Sequence, residues 1–143
     1  MNRPSNDHAE PSDLELQVLS VLWERGPSGV REVMEEIPDR KPRAYTTVLT
    51  VLQVLEKKGL VRHEQNGRQY VYHAATNRNG VLRPRLRRLL RYVFRGDPTA
   101  VLQQILDETS VTSEDLKAMR EALAKREKEL SGNGKGAPNE PRA

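Results

Sequence analysis

The chain has 143 residues, 36% hydrophobic and 31% charged, with a formal net charge of +4, which bounds it to one modest core with at most a small appendage. A single Trp and a single Phe make that core mostly aliphatic, and the absence of Cys excludes disulfides, Cys-based metal sites and thiol chemistry. No apolar run approaches the roughly 20 residues of a membrane helix and nothing near Met1 reads as a signal sequence, so a cytoplasmic protein without membrane insertion is expected.

Residues 1–11 and 131–143 are polar and rich in Pro and Gly, and are expected to be disordered tails. Ser12-Asp13-Leu14-Glu15 reads as a capping box, the Ser12 hydroxyl and the Glu15 carboxylate each satisfying an orphan amide at a helix start. Leu14, Val18, Val21 and Leu22 then form an apolar stripe up to Trp23, and Gly26-Pro27 ends it. A second, short helix runs from about Gly29 to Glu36 on Val30, Val33, Met34 and Ile37. Pro38 and Pro42 bracket a loop. The third helix starts near Ala44 and stops at Gly59, preceded by two lysines that suit the negative helix end.

Short β-prone runs flank Asn66-Gly67, the pair that a type I′ hairpin turn favours because both central positions need positive φ. Three helices and then a hairpin is the order of a winged helix, over residues 12–76. Further on, Leu82, Leu86, Leu89, Leu90 and Val93 mark one helix, with Pro84 in its first turn or kinking it. Val101, Leu102, Ile105 and Leu106 mark a second, opened by Asp97-Pro98. A third follows a cap at Thr112 or Ser113, with Leu116, Met119, Leu123 and Leu130 as its stripe. Three short helices with narrow stripes bury little alone, so residues 77–130 are expected to need another surface. Leu86, Leu90, Val93, Leu102, Ile105, Leu106, Leu116, Met119 and Leu123 are the candidates for holding a homodimer. The expected fold class is mainly α with a small β-hairpin wing, a winged helix-turn-helix domain followed by a helical dimerisation region.

Positive charge is concentrated. Residues 77–96 hold seven arginines (78, 83, 85, 87, 88, 91 and 95) and no acid. This segment is open to three readings: a solvated helix face, extra phosphate contacts, or a dock for an acidic partner. Of the three histidines, His8 falls in the N-terminal tail and His63 and His73 flank the hairpin, with no ligand spacing on a helix face. There is no nucleophile–base pattern and no Gly-rich phosphate loop, so neither an enzyme nor a metal or other cofactor is expected.

The third helix is the exception. Val48, Leu52 and Leu55 must face the core, while Arg43, Thr46, Thr47 and Thr50 lie on the other side. Threonines let a helix approach base edges closely, as donors, acceptors or methyl contacts to thymine. Lys57 and Lys58 at the helix end, with Arg62 and Arg68 on the hairpin, suit phosphate oxygens, which orient a protein on DNA without reading sequence. Tyr70 and Tyr72 alternate with Val71, and one face of that strand should pack on the helix.

Together "LELQVLSVLW", "REVMEEI", "AYTTVLTVLQVLEKKGLV", the hairpin ending "RQYVYHA" and a three-helix tail resemble the penicillinase-repressor (BlaI/MecI/CopY-type) transcriptional regulators, from about Ser12 to Lys128. The resemblance implies a homodimeric repressor on a dyad-symmetric double-stranded DNA operator. It puts Thr46, Thr47 and Thr50 on the recognition helix and Arg62 to Arg68 on the wing. Copper-responsive members carry a C-terminal cysteine cluster that this chain lacks. In β-lactam-responsive members a membrane sensor protease cuts an Asn–Phe bond, and the corresponding bond here is Gln104–Ile105. The other reading is a winged helix for protein assembly, its arginine-rich helix docked on an acidic partner.

Overall fold

A computed structural model describes residues 11–132, so residues 1–10 of the N-terminal tail, His8 among them, and residues 133–143 of the C-terminal one lie outside the described residues. The described residues fall into two compact units, one through Arg83 and one from Pro84. The first unit is built on α1 (Asp13–Arg25), α2 (Val30–Glu36), α3 (Tyr45–Lys57) and an antiparallel hairpin of β1 (Val61–Asn66) and β2 (Gln69–Ala74). It is a winged helix.

The Ser12 hydroxyl accepts the Glu15 amide at 3.3 Å, as the capping box requires. Glu15 does not reciprocate. Its carboxylate instead accepts from Lys58 Nζ at 2.7 Å, tying the start of α1 to the end of α3 across 43 residues of sequence. A charged partner outcompetes a local amide because both side chains are largely shielded from water. Pro11, assigned to the tail, is buried.

The core comes from every element of this unit. Val18, Leu19, Val21 and Leu22 of α1 meet Val30 and Val33 of α2, Ile37, and Val48, Leu52 and Leu55 of α3. Val61 and Tyr72 close it from the hairpin, and Val81 joins it. Leu19, fully buried, was missing from the sequence stripe, and Trp23 is only part-buried. The Trp23 indole N–H donates to the Thr76 carbonyl at 2.8 Å, pinning the chain as it leaves the hairpin. Each buried Val or Leu contributes about 1.5–3 kcal/mol of transfer free energy.

The hairpin turn lies one residue later than the Asn-Gly signal suggests. Asn66 pairs with Gln69, so Gly67 and Arg68 are the two central residues. Only Gly67 has positive φ (65°), the type II′ requirement of glycine at the first central position, in place of type I′. Asn66 thereby joins the ladder and Arg68 takes the tip. A third chain segment fixes the wing: the Ser28 amide donates to the Tyr72 carbonyl at 3.0 Å, and the Tyr72 amide to that of Ser28 at 2.8 Å.

α4 (Arg78–Arg88) runs across the division between units, with Pro84 in its interior and not in its first turn. Proline supplies no amide there and crowds the preceding turn. A single wide π-type turn, Leu89–Val93, follows. α5 (Pro98–Glu108) opens on Asp97, whose carboxylate accepts from the Thr99 and Ala100 amides. α6 (Ser113–Gly132) is 20 residues long, not short, and absorbs Ser131 and Gly132 from the expected tail. Thr112 and Asp115 form its capping box, each side chain accepting the other's amide, and the Thr112 amide lowers the Asp115 pKa. No residue from 84 to 132 is buried. Among the described residues, no helix is long and apolar enough to cross a membrane.

Candidate nucleic-acid interface

The surface of α3 follows from its buried face. At about 100° per residue, a core row of Val48, Leu52 and Leu55 leaves three other strips. Tyr45, Leu49, Gln53 and Glu56 turn towards the wing and line a groove of about 560 Å³ that α2 and the hairpin complete. Thr46, Thr50 and Lys57 stand opposite the core, all exposed. Thr47 and Val54 lie on the flank away from the groove, also exposed. The helix is thus a ridge beside a trench.

Thr50 Oγ1 donates to the Thr46 carbonyl at 2.8 Å, so its proton is occupied and it offers outward a methyl group and an acceptor. No side chain caps α3 at Ala44. Its first amides are therefore available to an oxygen from outside the chain, as at helix ends that bind phosphate.

The groove brings together residues that the sequence reading passed over. Arg31 is exposed in the first turn of α2, its guanidinium 5.6 Å from the Tyr45 ring centre. A base in a helix's first turn opposes the helix dipole, and that oddity in "VREVMEE" was a legible signal. Gln53 extends the exposed Thr46–Thr50 row by the next helical step, which was also readable. Across the trench the hairpin presents His63, Tyr70 and Arg68. His63 takes Glu56 Oε1 with both its backbone amide and Nδ1, and its ring stands edge-on to Tyr70. Tyr70 and Tyr72 share this face. Tyr72 is buried, and burial, then the charge of Glu56, pushes its phenol pKa up, whereas Tyr70 is half exposed.

The predicted cations separate into different roles. Arg68 lines the groove from the wing tip, and Lys57 is exposed at the end of α3. Arg62 alternates onto the other face of the hairpin, 3.4 Å from Glu64. Lys58, expected on phosphate, is held by Glu15. Arg43 makes a two-pronged contact with Asp39, both bonds 2.7 Å, in the loop before α3. Asp39 also accepts from the Lys41 amide and the Gln17 side chain, while its own amide donates to Gln17. This knot fastens the α2–α3 loop to α1. His73 lies 3.5 Å from Glu64. Among the described residues no three His, Asp or Glu side chains gather as a metal site.

Residues 11–125 match the family described as Penicillinase repressor. The chain is 34% identical to the transcriptional regulator BlaI of Mycobacterium tuberculosis over 128 residues, 88% of this chain and 89% of the relative. It is 25% identical to the penicillinase repressor of Bacillus licheniformis over 112 residues, 78% of this chain and 88% of that one. A solved structure of the monomeric form of B. licheniformis BlaI in complex with the blaP half-operator aligns at 31% identity and a TM-score of 0.43, covering 50% of this chain and 87% of that chain.

The Arg43 guanidinium, and after it the Lys41 amide, hold the Asp39 carboxyl well below the usual carboxylate range. A carboxyl whose pKa is depressed by folding stabilises the fold above its unfolded pKa and ceases to do so as pH falls through the folded value. Wild type should therefore melt above Asp39→Asn near neutrality, with the gap closing as pH is lowered from about 5 towards 2. Melting curves of both proteins across that range check this, and a gap that widens in acid contradicts it.

Proposed function

The chain belongs to the penicillinase repressor family, DNA-binding transcriptional repressors and not enzymes, and on that premise we propose how it reads its operator. It works in the cytoplasm as a homodimer on a dyad-symmetric duplex. Residues 12–76 form the DNA-binding part and 77–130 the dimerisation part. α3 enters the major groove, where Thr46, Thr47 and Thr50 meet base edges. Arg68, Arg31 and Lys57 take phosphates on either side. The observation that carries this reading is the division of α3 between a fully buried row and an exposed threonine ridge beside the wing groove. Arg43 contributes by holding the loop that leads into α3, and Arg62 by adding charge on the outer face of the wing.

The homodimer is supported by the second unit's lack of any buried residue. Leu86, Val93, Ile105, Leu106, Leu116 and Leu123 are exposed, with Leu90, Leu102 and Met119 half-buried. A second copy offering the same stripes would cover them, and joining two reading heads multiplies affinity through effective concentration. Gln104–Ile105 lies within α5, where opening a turn disturbs no core, and cutting there by a membrane sensor protease would cripple the dimer.

Thr47→Ala should change discrimination between operator variants by about 1 kcal/mol at the contacted base pair. Arg68→Ala should weaken all sequences alike and make the salt dependence shallower by about one unit. Binding titrations on variant duplexes at several salt concentrations measure both, and exchanged phenotypes would reverse the roles of helix and wing. Sedimentation should give a dimer at micromolar concentration, and a monomer there removes the dimer. Mass spectrometry of the protein from induced cells should find fragments meeting at Gln104–Ile105; fragments meeting elsewhere, or none, reject cleavage at that bond.

A further inference from the structure

The first unit pairs several of its charges. Arg25 meets Glu32, Lys58 meets Glu15, Arg43 meets Asp39 and Arg78 meets Glu24. Further along the chain some arginines have no carboxylate against them among the described residues. Residues 77–96 contain seven arginines, no lysine and no acid, while Asp97 to Leu130 carries eight acids against five bases. Arg87, Arg91 and Arg95 are exposed, and among the described residues none of the three meets a carboxylate. Arg91 lies 5.9 Å from the ring centre of Tyr92.

Like charges a turn apart destabilise a helix. Pro84 and the wide turn at Leu89–Val93 weaken this one further. Arginines that act against their own helix, three of them with no carboxylate against them among the described residues, call for an anion from outside. Exclusive use of arginine narrows the anion. The guanidinium cannot be deprotonated and offers a planar fork of donors that matches phosphate or carboxylate oxygens. Spread over several positions along the segment, the arginines suit a long repeating anion better than one acidic side chain.

We propose that Arg87, Arg91 and Arg95 form a second, sequence-independent contact to the DNA phosphate backbone, separate from the winged helix. The proposal rests on the reading of the chain as a DNA-binding repressor. Arg87 follows the end of β2 by thirteen residues of chain, so a duplex already held by the wing supplies phosphates at high local concentration. Such contacts raise affinity for every duplex and steepen its salt dependence without altering preference.

The test compares the full chain as wild type, as Arg87→Gln/Arg91→Gln/Arg95→Gln, and as Lys117→Gln/Lys125→Gln/Lys128→Gln, which removes equal charge from α6. Binding to a duplex from the chain's own promoter and to a scrambled duplex is followed by fluorescence anisotropy across salt concentrations. The arginine variant should lose about two to three units of the slope of log K against log salt on both duplexes. The lysine variant should keep the slope to within about one unit. Equal slopes for wild type and the arginine variant overturn the proposal, as do equal losses in both variants, which would be an effect of net charge alone. An arginine variant that keeps its DNA slope but no longer binds polyglutamate assigns the run to an acidic protein and also overturns it. Wild type that binds neither duplex would remove the DNA-binding reading itself, an outcome distinct from the others.

Discussion

The rotation of α3 about its own axis is the constraint on which the rest of the molecule depends. Val48, Leu52 and Leu55 are fully buried. With side chains about 100° apart around a helix, fixing one row fixes all the others. A slip by two residues, about 200° of rotation, would put Thr46, Thr50 and Gln53 in the places of Val48, Leu52 and Leu55, and each polar group buried there without a partner would cost about 1–3 kcal/mol. Elements that look unrelated to reading DNA serve this one orientation. Lys58 and Glu15 tie the end of α3 to α1, the Asp39–Arg43–Gln17 knot holds its approach, and Ser28 bridges to Tyr72 to set the wing beside it.

Much of this was legible because it depends on period and punctuation. The stripe Val48, Leu52, Leu55, the glycine at 59 and the Asp97-Pro98 helix start are local signals, and the structure repeats them. The penicillinase repressor family itself was readable from "YTTVLTVLQVLEKKGLV" and the hairpin after it. Contacts far apart in sequence were not readable. Glu15 looked like half of a capping box because the local motif is complete, and nothing local reveals a lysine 43 positions away. The hairpin turn was misplaced by one residue because Gly67 serves either the second place of one turn or the first place of another. Only the ladder from Asn66 to Gln69 decides between them.

The candidate interface was legible in part for the same reason. Thr46, Thr47 and Thr50 could be named from helical spacing, but the groove needs three elements at once, so the gathering of Tyr45, Arg31 and Tyr70 along one trench appears only in the folded chain. Charge also sorts itself by partner and not by sign. Several cations that fasten the winged helix have carboxylates against them, whereas Arg68 and Lys57 lie open on the surface beside α3. A lysine or arginine in such a domain is therefore informative about DNA only after its acids have been counted.

The central claim is that α3 reads DNA with the ridge opposite its buried row while the groove and wing tip take the backbone. Amide chemical-shift mapping of the labelled chain, titrated with a duplex from its own promoter, tests it directly. The account predicts the largest changes at Thr46, Thr47, Thr50, Arg31 and Arg68, with the α1 residues Gln17 and Ser20 little moved. Changes centred on α1 with the threonine amides unmoved would contradict it.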